Sequence, residues 1–200
     1  MKKTNFSFHK RNHGTLPESI AIVPLKDDVI FPHLILPLSL AGEGLVKAVN
    51  AAVSKNEFIG IVALKYDVDL PKPEDFYEFG TAAKVVRVLE STSDSVKALI
   101  EGVVRIKVTD YVQTEPYCKA RIEAVREFTE KSETIDVLVQ SVITLFKLSA
   151  MLGKALPKDV ISMIDTINNP SILADLVAIY LELPVHEKQK LLEMLDPQKR

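Results

Sequence analysis

The residues in this chain that could do chemistry are few, and their spacing does not assemble them. Seven glycines stand at positions 14, 42, 44, 60, 80, 102 and 153, and none falls in a phosphate-cradling pattern. Gly153-Lys154 is followed by Ala155 and lacks the upstream glycine of a P-loop. There is no Gly-x-Ser-x-Gly elbow to expose a nucleophilic serine. His186-Glu187 is followed by Lys188, Gln189 and Lys190, so the second histidine of a zinc-binding helix is missing. His9 and His13 lie four apart and could share a helical face, but no third ligand is near. His33, between Pro32 and Leu34, reads as a turn or surface residue. Cys118 is the single cysteine, with no sequence feature pairing it to a base. It cannot form an intrachain disulfide, and such usage fits a reducing cytoplasm. The expectation is a chain with no catalytic residue, no metal site and no cofactor of its own.

Binding is the remaining class, and the elements that must present a binding surface follow from composition and periodicity. The 200 residues are 47% hydrophobic, 26% charged and 6% aromatic, with no Trp and a net charge of −2. That is the balance of a globular protein with no whole-chain field to attract nucleic acid or an anionic membrane. No export signal is expected: Lys2, Lys3, Lys10 and Arg11 are not followed by a continuous apolar run. The most apolar helical stretch, Val137 to Leu152, is interrupted by Gln140, Ser141, Thr144, Lys147 and Ser149, and reads as too short and too polar to span a bilayer.

The hydrophobic period changes from about two to about 3.6 near residue 128. This divides the chain into a basic arm (1–18), a β domain (19–128) and a helical part (129–200). In the β domain, Ile20 to Leu25 and Phe58 to Leu64 read as strands, and Glu43 to Asn56 as a helix burying Leu45, Val49, Ala52 and Val53. Gly80 to Glu90 and Val96 to Asp110 flank Ser91 to Ser95 as a hairpin, and Ala120, Ile122 and Ala124 alternate with charges. One helix among about six mostly antiparallel strands predicts a small closed or half-open β-barrel. In the helical part, Leu138, Val142, Leu145, Phe146 and Leu152 predict a buried stripe after caps in Thr129 to Asp136. Asn169 is placed to cap a helix begun by Pro170, and a last amphipathic segment through Leu191, Leu192 and Leu195 is still helix-prone at Arg200. The fold class is therefore α+β, a β-barrel with one helix followed by an all-α helical bundle leading into a truncated long helix.

Two surfaces come forward as candidates. Lys84, Arg87, Lys97, Arg105, Lys107, Lys119 and Arg121 on the strands could form an RNA-binding patch, but Glu90, Glu101, Glu115, Glu123 and Glu127 interleave with them and argue against it. The run Phe31-Pro32-His33-Leu34-Ile35-Leu36-Pro37-Leu38 is too continuously apolar for a one-faced strand. It predicts either a seal on the barrel or an exposed patch for another chain, with Phe31, Pro32, Leu34, Ile35 and Leu36 as contact residues.

A family resemblance covers residues from about 20 to 200. Val23 through Leu38 resembles the opening motif of the amino-terminal domain of the Lon family of ATP-dependent proteases. Phe79 to Val85 and Val96 to Ile106 are similar to its G-T-x-A strand and V-K-x-L-x-E-G-x-x-R hairpin. Asn169 to Asp175, Glu187 to Glu193 and Asp196 to Arg200 resemble its L-A-D and K-Q-x-L-L-E segments. Lys26 stands where arginine is commoner, and Phe31 where tyrosine also occurs. The resemblance implies a PUA-like barrel, a helical bundle, and a parent in which a long helical arm, an AAA+ ATPase and a Ser-Lys peptidase follow. Those later segments are not in these 200 residues, so ATP and magnesium are implied only for the ATPase. The implied role is recognition of unfolded or degron-bearing polypeptide, with self-association in a parent homohexamer. A free-standing adaptor and an RNA-binding module stay open beside it.

Overall fold

The computed structural model describes residues 5–6, 16–128 and 133–200. His9, His13, Thr129 and most of the basic arm lie outside the described residues. The strands are β1 (Asn5–Phe6), β2 (Ser19–Leu25), β3 (Leu34–Ala41), β4 (Phe58–Leu64), β5 (Phe76–Ser91), β6 (Ser95–Gln113) and β7 (Lys119–Ala124). They form one mixed sheet in the order β1-β3-β6-β5-β4-β2-β7. β2 and β4 run parallel, while β4–β5, β5–β6, β3–β6 and β6–β7 are antiparallel. Because β6 also pairs with β7, the strands β6, β5, β4, β2 and β7 close on one another in a ring. β6 is long enough to serve two partners on one side: its first half holds β3 at Ser95 to Glu101, and its second half holds β7 at Ile106 to Gln113.

The parallel β2–β4 pair demands a crossover, and α1 (Glu43–Lys55) lies in it. Val46, Ala48, Val49 and Ala52 of α1 are buried, Glu43 pairs with Lys47 at 2.6 Å, and Asn56 closes the helix in the left-handed region at φ 52°. Val53, expected on the buried face, is 45% exposed. Inside the ring Ile20, Ile22, Phe58, Val62, Ile106, Val108, Ala120 and Ile122 pack together.

The helices after the sheet are α2 (Glu133–Met151), α3 (Lys158–Met163), α4 (Pro170–Tyr180) and α5 (Val185–Glu193). The chain falls into two compact units, one of residues 1–125 and 184–192, the other of 126–183 and 193–200. The sequence groups 129–200 together; the structure places α5 with the sheet. There the buried Arg105 donates from Nε to the Leu192 carbonyl at 2.9 Å, Gln189 donates to the Phe79 carbonyl at 3.1 Å, and Lys188 pairs with Asp28 at 2.8 Å. α5 ends at Glu193, and the remaining residues close a turn in which the Lys199 and Arg200 amides donate to the Asp196 carbonyl.

In the second unit Asn169 caps α4 as its position predicts, accepting from Ser171 N at 2.9 Å and Ile172 N at 3.4 Å. The α2 stripe differs from expectation. Ile135, Ile143 and Phe146 are its buried residues, while Leu145 and Leu152 are 64% and 80% exposed. Helix α2 is apolar on more than one face, so composition does not single out the inward one. The same excess makes Thr134–Met151, 18 residues of mean hydropathy 1.4, long and apolar enough by length and composition to cross a membrane, contrary to the expectation from its polar interruptions.

Candidate functional site

The apolar run at 31–38 resolves into two faces once β3 forms. Strand alternation sends Leu34, Leu36, Leu38 and Leu40 inward, where all are buried, and leaves Ile35 and Pro37 half-buried on the outer face. Before the strand, Phe31 is fully buried and Pro32 is buried beside it. This segment is laid onto the sheet by three features. Thr81 Oγ1 donates to the Ile30 carbonyl at 2.5 Å, and the His33 amide donates to the Gly102 carbonyl at 2.8 Å. The third is Gly102 itself: a Cβ there would stand 2.5 Å from the Phe31 carbonyl oxygen, so only glycine admits the approach. His33, at φ 64°, turns the chain into β3.

The predicted contact set is corrected accordingly. Phe31, Pro32, Leu34 and Leu36 are not an exposed patch; they belong to the core, because an apolar side chain on the inner face of a half-covered strand is drawn out of water whatever its neighbours are. Ile35 alone of the five keeps substantial exposure.

The sequence does not show what lies across the sheet from the outer face of β3, where Ile35 stands opposite Glu101. Pro37 stands opposite Leu99, and Leu99 opposite Arg87, so an apolar row crosses the outer face from β3 to β6. Above and below it lie charged rows: Lys97 opposite Glu90, paired at 4.0 Å, and Glu101 opposite Lys84. Val86 and Leu89 fall at irregularities in the β5–β6 register and are 47% and 43% exposed. The signal was present as period-two alternation in Val96 to Glu101, but the β3–β6 register that joins the two halves is a tertiary fact.

Beside β3 runs a groove of about 470 Å³. All six residues from Leu36 to Ala41 line it, together with Pro24, Leu25, Leu64 and Pro71 among others. Lys26, Asp27, Asp28 and Asp69 are the charged residues of its lining. Lys26 contacts Asp67 at 3.0 Å and Asp69 at 3.8 Å, and the hydrogen bond to Asp67 holds its ammonium above the ordinary lysine range. Asp28 is held by Lys188 and by the Val29 amide. Among the described residues no three His, Cys, Asp or Glu side chains gather as a metal site.

Residues 19–200 match the family described as the ATP-dependent protease La (LON) substrate-binding domain, and the chain belongs to that family. It is 33% identical over 185 residues to a Lon protease of Dictyoglomus thermophilum and 38% identical over 188 residues to one of Citrifermentans bemidjiense. Each alignment covers 92% of this chain and 23% of the relative, so the chain spans about a quarter of the length of these proteins. Among solved structures, the N-terminal domain of Mycobacterium avium complex Lon protease superposes with a TM-score of 0.71 at 20% identity, covering 90% of this chain and 92% of that one. The Lon N-terminal domain protein from Xanthomonas campestris gives 0.64 at 14% identity, covering 90% and 93%.

Proposed function

We propose that this chain is the recognition module of an ATP-dependent protease and holds unfolded or degron-bearing polypeptide without altering it chemically. The observation that carries this reading is the outer-face pair Pro37 and Leu99, with Ile35 two residues before Pro37 on the same face of β3; Val86 and Leu89 of β5 are exposed besides. Apolar side chains left in water on a sheet face that could have been polar favour weak, sequence-tolerant contact with other apolar segments. A motor that must pull many different chains needs such contacts at its entrance. We read the strand ring as a PUA-like barrel and the second unit as a helical bundle, the two serving also to seat the module in a parent homohexamer. Catalysis, ATP and magnesium then belong to other parts of that parent. The free thiol of Cys118 suits a reducing cytoplasm.

The test is the double variant Pro37→Ser with Leu99→Ser, both half-buried and both on the outer face. Affinity for a reduced, carboxymethylated model protein is expected to fall about tenfold, two apolar contacts being lost, with an unchanged circular dichroism spectrum. Unchanged affinity in the folded variant sinks the assignment.

A further inference from the structure

β3 is an edge strand for most of its length. Its ladder to β6 runs from Ile35 to Ala41, whereas on its other side β1 pairs only at Leu34 and Ile35. Among the described residues, Leu36 to Ala41 have no strand on that side. An unpaired strand edge is a template for another extended chain. Pro37 shows which backbone groups face outward. A proline is tolerated in a sheet where its nitrogen points away from the ladder. Pro37 opposite Leu99 therefore puts the amide positions of Pro37, Ser39 and Ala41 on the open side, and those of Leu36, Leu38 and Leu40 in the ladder.

Three observations converge on this edge. The groove runs along it, since residues of both parities from Leu36 to Ala41 line it, which a pocket on one face of the strand would not allow. The edge already accepts a strand, because Asn5 and Phe6 pair antiparallel with Ile35 and Leu34. Of the carboxylates lining the groove, Asp28 is held by Lys188 and Asp69 lies 3.8 Å from Lys26, while Asp27 has no ion pair among the described residues and suits a cationic one. From these we infer that β3 takes up a further strand along Leu36–Ala41: an extended polypeptide segment, apolar in its middle and flanked by lysine or arginine. Main-chain hydrogen bonds to Ser39 and Ala41 supply affinity that does not depend on sequence. One set of the segment's side chains enters the groove against Leu25 and Leu64, and the other lies beside Ile35 and Pro37, widening the apolar row. This deepens the polypeptide-binding reading above and rests on it.

The experiment uses the full chain and a nine-residue peptide alternating valine and threonine between paired lysines. Two N-methylated forms are compared with the parent peptide, one methylated at the odd and one at the even central residues. Strand addition predicts that one set loses about tenfold or more in affinity while the other binds as the parent does, because alternate amides point toward β3. Equal effects of the two sets overturn it. Ser39→Pro, which removes an outward N–H and leaves the β6 ladder intact, is expected to weaken the parent peptide to a similar extent with unchanged circular dichroism; undiminished binding overturns the inference. A dimer of the protein that excludes the peptide, the mark of edge pairing between copies, also overturns it. Tight binding of the carboxymethylated protein alongside parity-blind peptide binding removes strand addition and leaves the recognition role standing. Failure to bind either probe removes both.

Discussion

Arg200 carries its charge with a side chain only 1% exposed to solvent. It donates to Asp175 at 2.6 Å, to Glu127 at 2.6 Å and to the carbonyls of Met194 and Ser171, within the second unit. Asp175 is equally buried, so removing the guanidinium strands a carboxylate out of water. Arg200→Ala is expected to cost about 3–5 kcal/mol, read as a lowered urea midpoint of the helical unit. Arg200→Lys should recover little of it, since one ammonium cannot reproduce a planar fork of five donors. A second prediction concerns alkaline pH. Burial pushes the Tyr111 and Tyr180 hydroxyls and the Cys118 thiol above their ordinary values, and the Tyr111 and Tyr180 oxygens are buried without a hydrogen-bond partner. These groups keep their protons in the folded state at pH values where the unfolded chain has released them. Their contribution is thus complete below about pH 8.5 and is lost as pH rises through the folded values. Tyr111→Phe is expected to flatten the alkaline limb of urea midpoint against pH and to leave neutral stability equal or higher. A limb as steep as the parent's argues against this origin. Much at this scale was legible beforehand: Asn169-Pro170 declares a cap, because a side-chain acceptor before a residue lacking an amide fits few other places. The Arg200 cluster was not legible, since its three charged members lie 25 and 73 positions apart.

An element declares itself where one face only is apolar. α1 and the β5–β6 hairpin do so in their extents, although Val53 of α1 turns outward and β5 buries Gly80 to Ala83 in succession. α2 and β3 do not, because each is apolar on both sides and only packing decides which side turns inward. This ambiguity has a measurable counterpart on α2, where Leu145, Met151 and Leu152 are 64%, 83% and 80% exposed. Leu145→Lys is expected to change stability by no more than about 0.5 kcal/mol, whereas Phe146→Ala, at 7% exposure one residue along, should cost about 3 kcal/mol or more. Paired thermal melts read the contrast, and similar losses in both would mean that the helix presents a different face in solution. For α5 the sheet-side grip is Arg105, Gln189 and Lys188. Lys188→Ala removes the partner of Asp28 and is expected to raise amide hydrogen exchange in α5 and around Val29 while leaving the rest of the ring protected.

At the scale of the whole molecule, sequence and structure agree on a β-rich part and a helical part, because period-two and period-3.6 patterning dominate separate stretches. They part at residues 184–192, whose amphipathic pattern says helix and nothing about which body receives it. The destination is set by a buried arginine on β6 and a carbonyl at Leu192, 87 positions apart. Truncation after Leu183 is therefore expected to weaken the β unit, lowering its urea midpoint, although every strand is retained. An unchanged midpoint would mean that α5 is dispensable to the sheet.

The same insertion bears on the order in which a ribosome delivers the parts. The seven strands among the described residues are synthesised by Ala124, yet α5 ends at Glu193. Between them pass roughly seventy residues, several seconds of translation at ordinary elongation rates. For that interval the strands can pair while Arg105 waits for the Leu192 carbonyl, so the nascent β unit is a distinct, less protected species. Chaperones and proteases meet that form first, and it gives way to the native one when the last turn of α5 clears the exit tunnel.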